Sequence, residues 1–242
     1  MNRLDDKVAL ITGGARGQGA SEAELFAAAG AQVVITDVLD EGAETAERLG
    51  ASVDFLRHDV TSEAAWTEVV DTVVDRHGRL DVLVNNAGIF RTVGLTETTL
   101  EMWEQMLAVN QTGVFLGMKA VAPTMKAQGA GSIINISSIA GMRGAGLAHA
   151  YAATKWAVRG MSKSAAQELS PHGVRVNSVH PGIIDTAMLR EFGDALPMIE
   201  QRIPLGRVAT ADEVGKLVLF LASDDASYCT GQEFVVDGAM TA

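Results

Sequence analysis

The stretch Val8-Ala9-Leu10-Ile11-Thr12-Gly13-Gly14-Ala15-Arg16-Gly17-Gln18-Gly19 decides the fold. Four apolar residues in succession read as a buried strand, and helix-like spacing begins at Ser21, so the glycines between them form a strand–turn–helix junction. Glycine there lets the backbone take positive φ and come close to a bound group. The free N–H groups at the start of a helix favour a negatively charged one, such as a pyrophosphate. A bare tight turn is the other use of such a stretch. Asp37 weighs for a dinucleotide: it closes the next strand about 20 residues on, where a carboxylate can accept from ribose hydroxyls. Its plain alternative is a helix cap.

Outward from that junction the pattern repeats. Val33–Ile35, Val53–Leu56, Val82–Val84, Ile133–Ile136, Val174–Val176 and Phe234–Val236 are further short apolar runs, giving seven expected strands with the first. Between them lie helix-like stretches such as Ser21 to Ala29, Trp66 to Val74, Trp103 to Met125 and Ala153 to Leu169, with Gly30, Gly50, Gly78 and Pro171 at helix ends. Continuous apolar strands separated by helices predict an α/β fold: one doubly wound Rossmann domain over residues 1–242, a seven-stranded parallel sheet with helices on both faces. Residues 183–207 have the weakest periodicity and read as a long loop with a short helix, the kind that often serves as a lid. Its apolar stripe, Met188, Leu189, Phe192, Leu196, Met198 and Ile199, either covers a hydrophobic substrate or packs against the sheet.

The 242 residues suit one core, and 48% apolar residues supply it. A net charge of −11 would repel phosphates and anionic lipid headgroups, so neither nucleic acid nor a membrane is an expected partner. The longest apolar runs, such as Leu217–Ala222, fall short of the roughly 20 residues of a membrane span. The opening Met1-Asn2-Arg3-Leu4-Asp5-Asp6-Lys7 has no signal-peptide pattern. A lone cysteine, Cys229, excludes an intrachain disulfide and suits a reducing cytoplasm. His58, His77, His172 and His180 show no ligand spacing with acids or cysteine, so no metal is expected.

Several further segments follow in order: Asp59-Val60 after the third strand, Asn85-Asn86-Ala87-Gly88 after the fourth, Asn110 within a long helix and Ser138 after the fifth strand. Tyr151-Ala-Ala-Thr-Lys155 opens the next helix, and Pro181-Gly182-Ile183-Ile184-Asp185-Thr186 follows the sixth strand. Together with Thr-Gly-x-x-x-Gly-x-Gly, this series resembles the short-chain dehydrogenases/reductases over nearly the whole chain. From physics alone, Tyr151 and Lys155 at i, i+4 share a helix face, so the ammonium can act on a phenol whose ordinary pKa is about 10. The resemblance implies that Tyr151 is the acid/base and that Lys155 tunes it while bonding the nicotinamide ribose. It also implies that Ser138 polarises the substrate carbonyl, with Ser137 satisfying backbone groups instead, and that Asn110 perturbs its helix to hold a water. It assigns Gly13, Arg16, Gly17, Gln18, Gly19, Asp37, Asp59, Val60, Asn86, Ala87, Gly88, Ile184 and Thr186 to the cofactor. His149 reads as a pocket-lining or surface residue. A Ser138/His149 hydrolase would lack both a nucleophile elbow and an oriented acid.

Within the family, Gly-Gly-Ala-Arg-Gly-Gln-Gly-Ala and Val-Asn-Ser-Val-His-Pro-Gly are most similar to bacterial 3α/20β-hydroxysteroid dehydrogenases, which implies a small hydrophobic alcohol or ketone as substrate. A broad secondary-alcohol dehydrogenase or carbonyl reductase is an open alternative. A 3-oxoacyl carrier-protein reductase is a rival, less similar at Ser132 and His172 and poorly matched to an acidic carrier. A non-catalytic dinucleotide sensor would not need Ser138, Tyr151 and Lys155. Arg16 favours NADP and Asp37 favours NAD; NAD is the expected cofactor. The family's habit, and apolar residues in excess of one buried face, including Val114, Phe115, Trp156, Val158 and Met161, imply a homotetramer.

Overall fold

The computed structural model describes residues 3–242; Met1 and Asn2, the start of the stretch read for a signal peptide, lie outside them. Seven strands form one sheet: β1 (Val8–Thr12), β2 (Gln32–Asp37), β3 (Val53–Arg57), β4 (Val82–Asn85), β5 (Gly131–Ile136), β6 (Val174–Pro181) and β7 (Glu233–Val236). Every pairing is parallel and the order is β3-β2-β1-β4-β5-β6-β7. The helices are α1 (Gly17–Ala28), α2 (Glu41–Leu49), α3 (Glu63–His77), α4 (Leu100–Leu107), α5 (Gly113–Gln128), α6 (His149–Leu169), α7 (Leu196–Glu200) and α8 (Ala211–Ala222).

The continuous apolar strands are explained by burial on both faces. In β1, Ala9 and Ile11 face a cluster with Phe26 of α1 and Val214, Val218 and Leu221 of α8. Val8 and Leu10 face the opposite cluster, with Trp66 and Val73 of α3, Val121 and Met125 of α5 and Val158 of α6. From β1 the chain winds outward through β2 and β3, then returns to β4 on the other side. The carboxyl ends of β1 and β4 therefore diverge into the crevice where doubly wound sheets bind ligands.

Two elements differ from the sequence reading. The helix expected over Trp103 to Met125 is α4 and α5 joined by a π-helical turn, Ala108–Thr112, centred on Asn110. Such a turn leaves the apolar spacing on either side nearly intact, which is why the periodicity reads as one helix. Residues 183–207 contain the expected short helix, α7, and in addition a 3₁₀ segment, Ala187–Ala195, that runs into it and is broken at Gly193 (φ 49°). Among the described residues, no helix is long and apolar enough to cross a membrane.

Candidate active site

The glycine turn is held from below. The Thr12 hydroxyl accepts from the amides of Asn86 and Ala87 at 3.1 and 3.0 Å, and Asn86 Nδ2 donates to the carbonyls of Thr12 and Gly13 at 2.9 and 3.1 Å. A Cβ on Gly13 would lie 2.8 Å from Ala87 Cα, and one on Gly19 would lie 2.4 Å from the Gly13 carbonyl oxygen. These two glycines therefore answer first to the close approach of the chain to itself. Gly17, at φ +58°, faces only the Thr186 side chain about 3.6 Å away and is required by its backbone conformation. The first turn of α1 has neither a side-chain cap nor an acidic residue, so its N–H groups stay available to an anion.

Asp37 does not cap a helix; Asp40 occupies that position for α2. Its Oδ2 instead accepts from the Ala15 amide at 3.2 Å and its Oδ1 from Leu39 at 3.1 Å, placing the carboxylate between the turn and the end of β2. Arg16 is exposed and pairs with Glu41 at 3.8 Å. Gln18 donates to Glu22 at 2.9 Å. Asp59 is exposed and accepts from the Thr61 amide and hydroxyl, whereas Val60 is buried and its carbonyl accepts from the Trp66 indole. Ile184 is buried at an isolated bridge to Ala209, and Thr186 follows it at the start of the 3₁₀ segment.

At the other end of the crevice the structure brings Ser138, Tyr151, Lys155 and Asn110 together. The first turn of α6 carries Tyr151, and one turn on, the buried Lys155 Nζ donates to the Ile136 carbonyl at 2.8 Å and lies 5.5 Å from the Tyr151 ring centre. Burial pulls the Lys155 ammonium down to about 8 and pushes the Tyr151 phenol up, with the Ser138 hydroxyl partly offsetting that rise. Ser138 Oγ also accepts from the Ala140 amide, and Ser137 Oγ donates to the Lys155 carbonyl, 18 residues on in α6. Asn110 is fully buried, with both ends of its amide bonded to the backbone of Ile89 at 2.8 Å. A Cβ on Gly88 would lie 3.3 Å from Asn110 Oδ1 and 3.7 Å from Lys155 Nζ, so this glycine leaves room beside both. His149 lies exposed against Trp103, away from Ser138's contacts.

Sequence reasoning missed Thr12, whose partners are 74 and 75 residues away. It also missed His180 as a support: its Nδ1 lies 3.1 Å from the Ser138 carbonyl oxygen and its Nε2 lies 2.9 Å from Ser178 Oγ. Alternate strand residues share a face, so Ser178-x-His180 was a usable signal for that second contact. Among the described residues no group of acids, cysteine and histidines is arranged to hold a metal.

A glycine turn with a carboxylate at the end of β2, and a tyrosine, lysine and serine converging at the far end of one crevice, define a nicotinamide-dependent alcohol oxidoreductase. Residues 13–241 match the family model described as enoyl-(acyl carrier protein) reductase. A 3-alpha-(or 20-beta)-hydroxysteroid dehydrogenase of Mycobacterium tuberculosis is 51% identical over 99% of this chain and 91% of its own. A trans-4-hydroxycyclohexanecarboxylate dehydrogenase of Sinomonas cyclohexanicum is 48% identical over 100% and 95%. The crystal structure of levodione reductase superposes with a TM-score of 0.94 at 34% identity, covering 98% of each chain. The chain belongs to the short-chain dehydrogenase/reductase family.

Proposed function

We propose that this chain interconverts a hydrophobic cyclic secondary alcohol, hydroxysteroids included, and its ketone, using NAD(H) and Tyr151 as the acid/base. The observation that carries this reading is the Lys155 ammonium beside the phenol: it is buried and bonded to a backbone carbonyl, and among the described residues it has no carboxylate partner to spend its charge on. The crevice fits a dinucleotide. Gly13, Arg16, Gly17, Gln18 and Gly19 would face the pyrophosphate, Asp37 the adenosine ribose, and Asp59 and Val60 the adenine. Asn86, Ala87 and Gly88 would line its middle, with Tyr151 and Lys155 on the nicotinamide ribose and Ile184 and Thr186 on the carboxamide. Bound there, the nicotinamide would supply the hydride exchange.

The chain's own residues handle the proton. Burial keeps the Tyr151 phenol protonated, ready to donate to an oxygen gaining negative charge during reduction. In oxidation the phenolate must accept, and the neighbouring ammonium stabilises it. Ser138 Oγ would hold the substrate oxygen beside the phenol, supported by the contacts of His180 and Ala140 with Ser138. The relatives' names, a hydroxysteroid and a hydroxycyclohexane carboxylate, both describe hydroxyl compounds built on a carbocyclic framework. A carrier-protein thioester is disfavoured because an acidic carrier needs a basic docking face, which a chain at −11 is poorly placed to offer. The single cysteine fits a cytoplasmic setting.

A panel of cyclic and acyclic alcohols and ketones, followed by NADH absorbance, tests the reading. Tyr151→Phe should lower turnover by about 10²–10⁴ while NADH binding persists. Activity within threefold of the unaltered protein would remove Tyr151 from the chemistry.

A further inference from the structure

Ser138 stands at a joint between β5 and a short 3₁₀ turn, Ile139–Gly141, and the Gly141 amide donates to its carbonyl at 2.9 Å. The chain leading up to it is pinned residue by residue. The Ile136 carbonyl accepts from Lys155 Nζ at 2.8 Å, and the Ser137 amide donates to the Val179 carbonyl at 2.7 Å. Ser138 itself is tied to the sheet through His180 of β6, a fully buried ring whose Nδ1 lies 3.1 Å from the Ser138 carbonyl oxygen. A carbonyl can only accept, so Nδ1 carries the proton. In the neutral ring Nε2 then accepts, and Ser178 Oγ, 2.9 Å away, is its donor. Burial pulls the ring's pKa below the usual histidine range; the Ser138 carbonyl and Glu233 partly oppose this, and Arg159 and Lys155 add to it. Glu233, paired with Ser178 across β6 and β7, is itself taken up by Arg159 and Lys163 of α6 at 2.7 Å each.

We propose that His180 is a positioning residue for Ser138: its Nδ1–H bond fixes the direction of the Ser138 peptide and so the aim of Ser138 Oγ at the reacting oxygen. The inference rests on the role of Ser138 in the reaction proposed above. Ser138 has an extended backbone (φ −171°, ψ 162°), so the orientation of its carbonyl is set by the groups that the carbonyl bonds. The Gly141 amide belongs to the same short turn and moves with it. His180 belongs to β6, which is bonded to β5 on one side and β7 on the other, so the ring references Ser138 to the sheet. Ser178, two residues back on the same face, holds the tautomer and the ring plane. A hydroxyl aimed at an oxygen whose charge changes in the reaction acts more on the transition state than on the bound substrate. Loss of that aim therefore lowers kcat more than it raises KM.

Two amide substitutions separate the two ring nitrogens. Asn places its Nδ2 where Nδ1 lies and keeps the donor to Ser138; Gln reaches to where Nε2 lies and keeps the partner of Ser178 instead. With NAD and the best alcohol of the panel, His180→Gln should lower kcat at least about tenfold, because a misplacement of about 1 Å costs up to about 10²-fold. KM for the alcohol and NADH binding by fluorescence should stay within about threefold. His180→Asn should restore kcat to within about threefold of the unaltered protein, even if both variants melt earlier by the same amount. Equal kcat losses in the two folded variants, or no loss in either, overturn the positioning role. Nitrogen-15 NMR of the unaltered protein without cofactor should show His180 as the neutral Nδ1–H tautomer at neutral pH. The Nε2–H tautomer or a charged ring overturns the inference, a result that does not depend on the variants folding. Ser138→Ala separates the inference from the reading beneath it. If Ser138→Ala runs at full rate, or the unaltered protein oxidises no alcohol, the proposed function falls and the inference with it. A slowed Ser138→Ala beside an unaffected His180→Gln overturns the role of His180 alone.

Discussion

At Asp37 the carboxylate has one oxygen on the Ala15 amide and the other on that of Leu39, and on the proposed reading it faces the 2′-position of the adenosine ribose. A 2′-phosphate about 4 Å away would be repelled by roughly 4 kcal/mol per unit charge at an effective dielectric of 20. Arg16 would have to offset that, yet it is more than half exposed and already paired with Glu41. An exposed pair contributes only about 0–1 kcal/mol. The 480 Å³ cleft beside the turn is lined by Glu24, Glu41 and Glu44 against Arg16 and Arg48, so it carries a net negative charge that does not favour a phosphate dianion. Steady-state kinetics with both cofactors should favour NAD(H) over NADP(H) by at least about tenfold in kcat/KM, a preference that needs only about 1.4 kcal/mol. Asp37→Ser should erode it, and equal efficiency with NADPH in the unaltered protein would show that Arg16 dominates. The placement of Asp37, Tyr151 and Lys155 was legible in the sequence because it follows from short spacings along one strand or one helix. That of His180 was not, since it touches Ser138 across 42 residues.

Helix packing explains another residue that spacing alone left unremarked. Where α8 crosses α1, Gly215 is so close that a Cβ there would lie 2.6 Å from Leu25 Cδ1 and 3.8 Å from Glu22 Cγ. Glu22 is sealed in this contact: its Oε1 accepts from Gln18, and its Oε2 is buried with no hydrogen-bond partner among the described residues. Burial pushes its carboxyl up to about 8. The folded state therefore keeps a proton that the unfolded chain releases near pH 4.5, so this group's contribution is complete below about pH 4.5 and is lost as pH rises through about 8. Glu22→Gln keeps the shape and removes the ionisation. Its melting temperature should match that of the unaltered protein near pH 4.5 and exceed it by several degrees at pH 9, where a shift of this size is worth on the order of a few kcal/mol. A difference that does not change between pH 4.5 and 9 would show that Glu22 ionises freely in the folded state. Of the elements themselves, the seven strands were legible because parallel strands buried on both faces are continuously apolar. The π-helical turn was hidden because one extra residue barely disturbs a 3.6-residue period.

On the scale of the whole molecule, the helices that carry Asn110 and Tyr151 have more apolar surface than the sheet can cover. Val114 and Val158 face the core, whereas Phe115 on α5 and Trp156 on α6 remain about half exposed. Arg159 stacks on Trp156 at 5.1 Å and pairs with Glu233 of β7 at 2.7 Å; Lys163 meets the same carboxylate at 2.7 Å. This network runs from the α6 surface to β7, which pairs only with β6 and so ends the sheet, with Val235 partly exposed on it. A net charge of −11 spread over the whole surface would oppose association, so self-assembly needs patches where charge is neutralised and apolar area is concentrated, as it is here. We propose that second copies of this chain cover both surfaces, giving a homotetramer with paired α5–α6 faces and paired β7 edges, as closed two-fold assemblies require. Light scattering should give close to four times 25.4 kDa at micromolar concentration. Phe115→Asp places a charge at the centre of the helical contact and should yield dimers joined through β7, with circular dichroism unchanged because the side chain lies outside the core. A monomer for the unaltered protein would refute the assembly, and a Phe115→Asp tetramer would move the contact off the α5–α6 face.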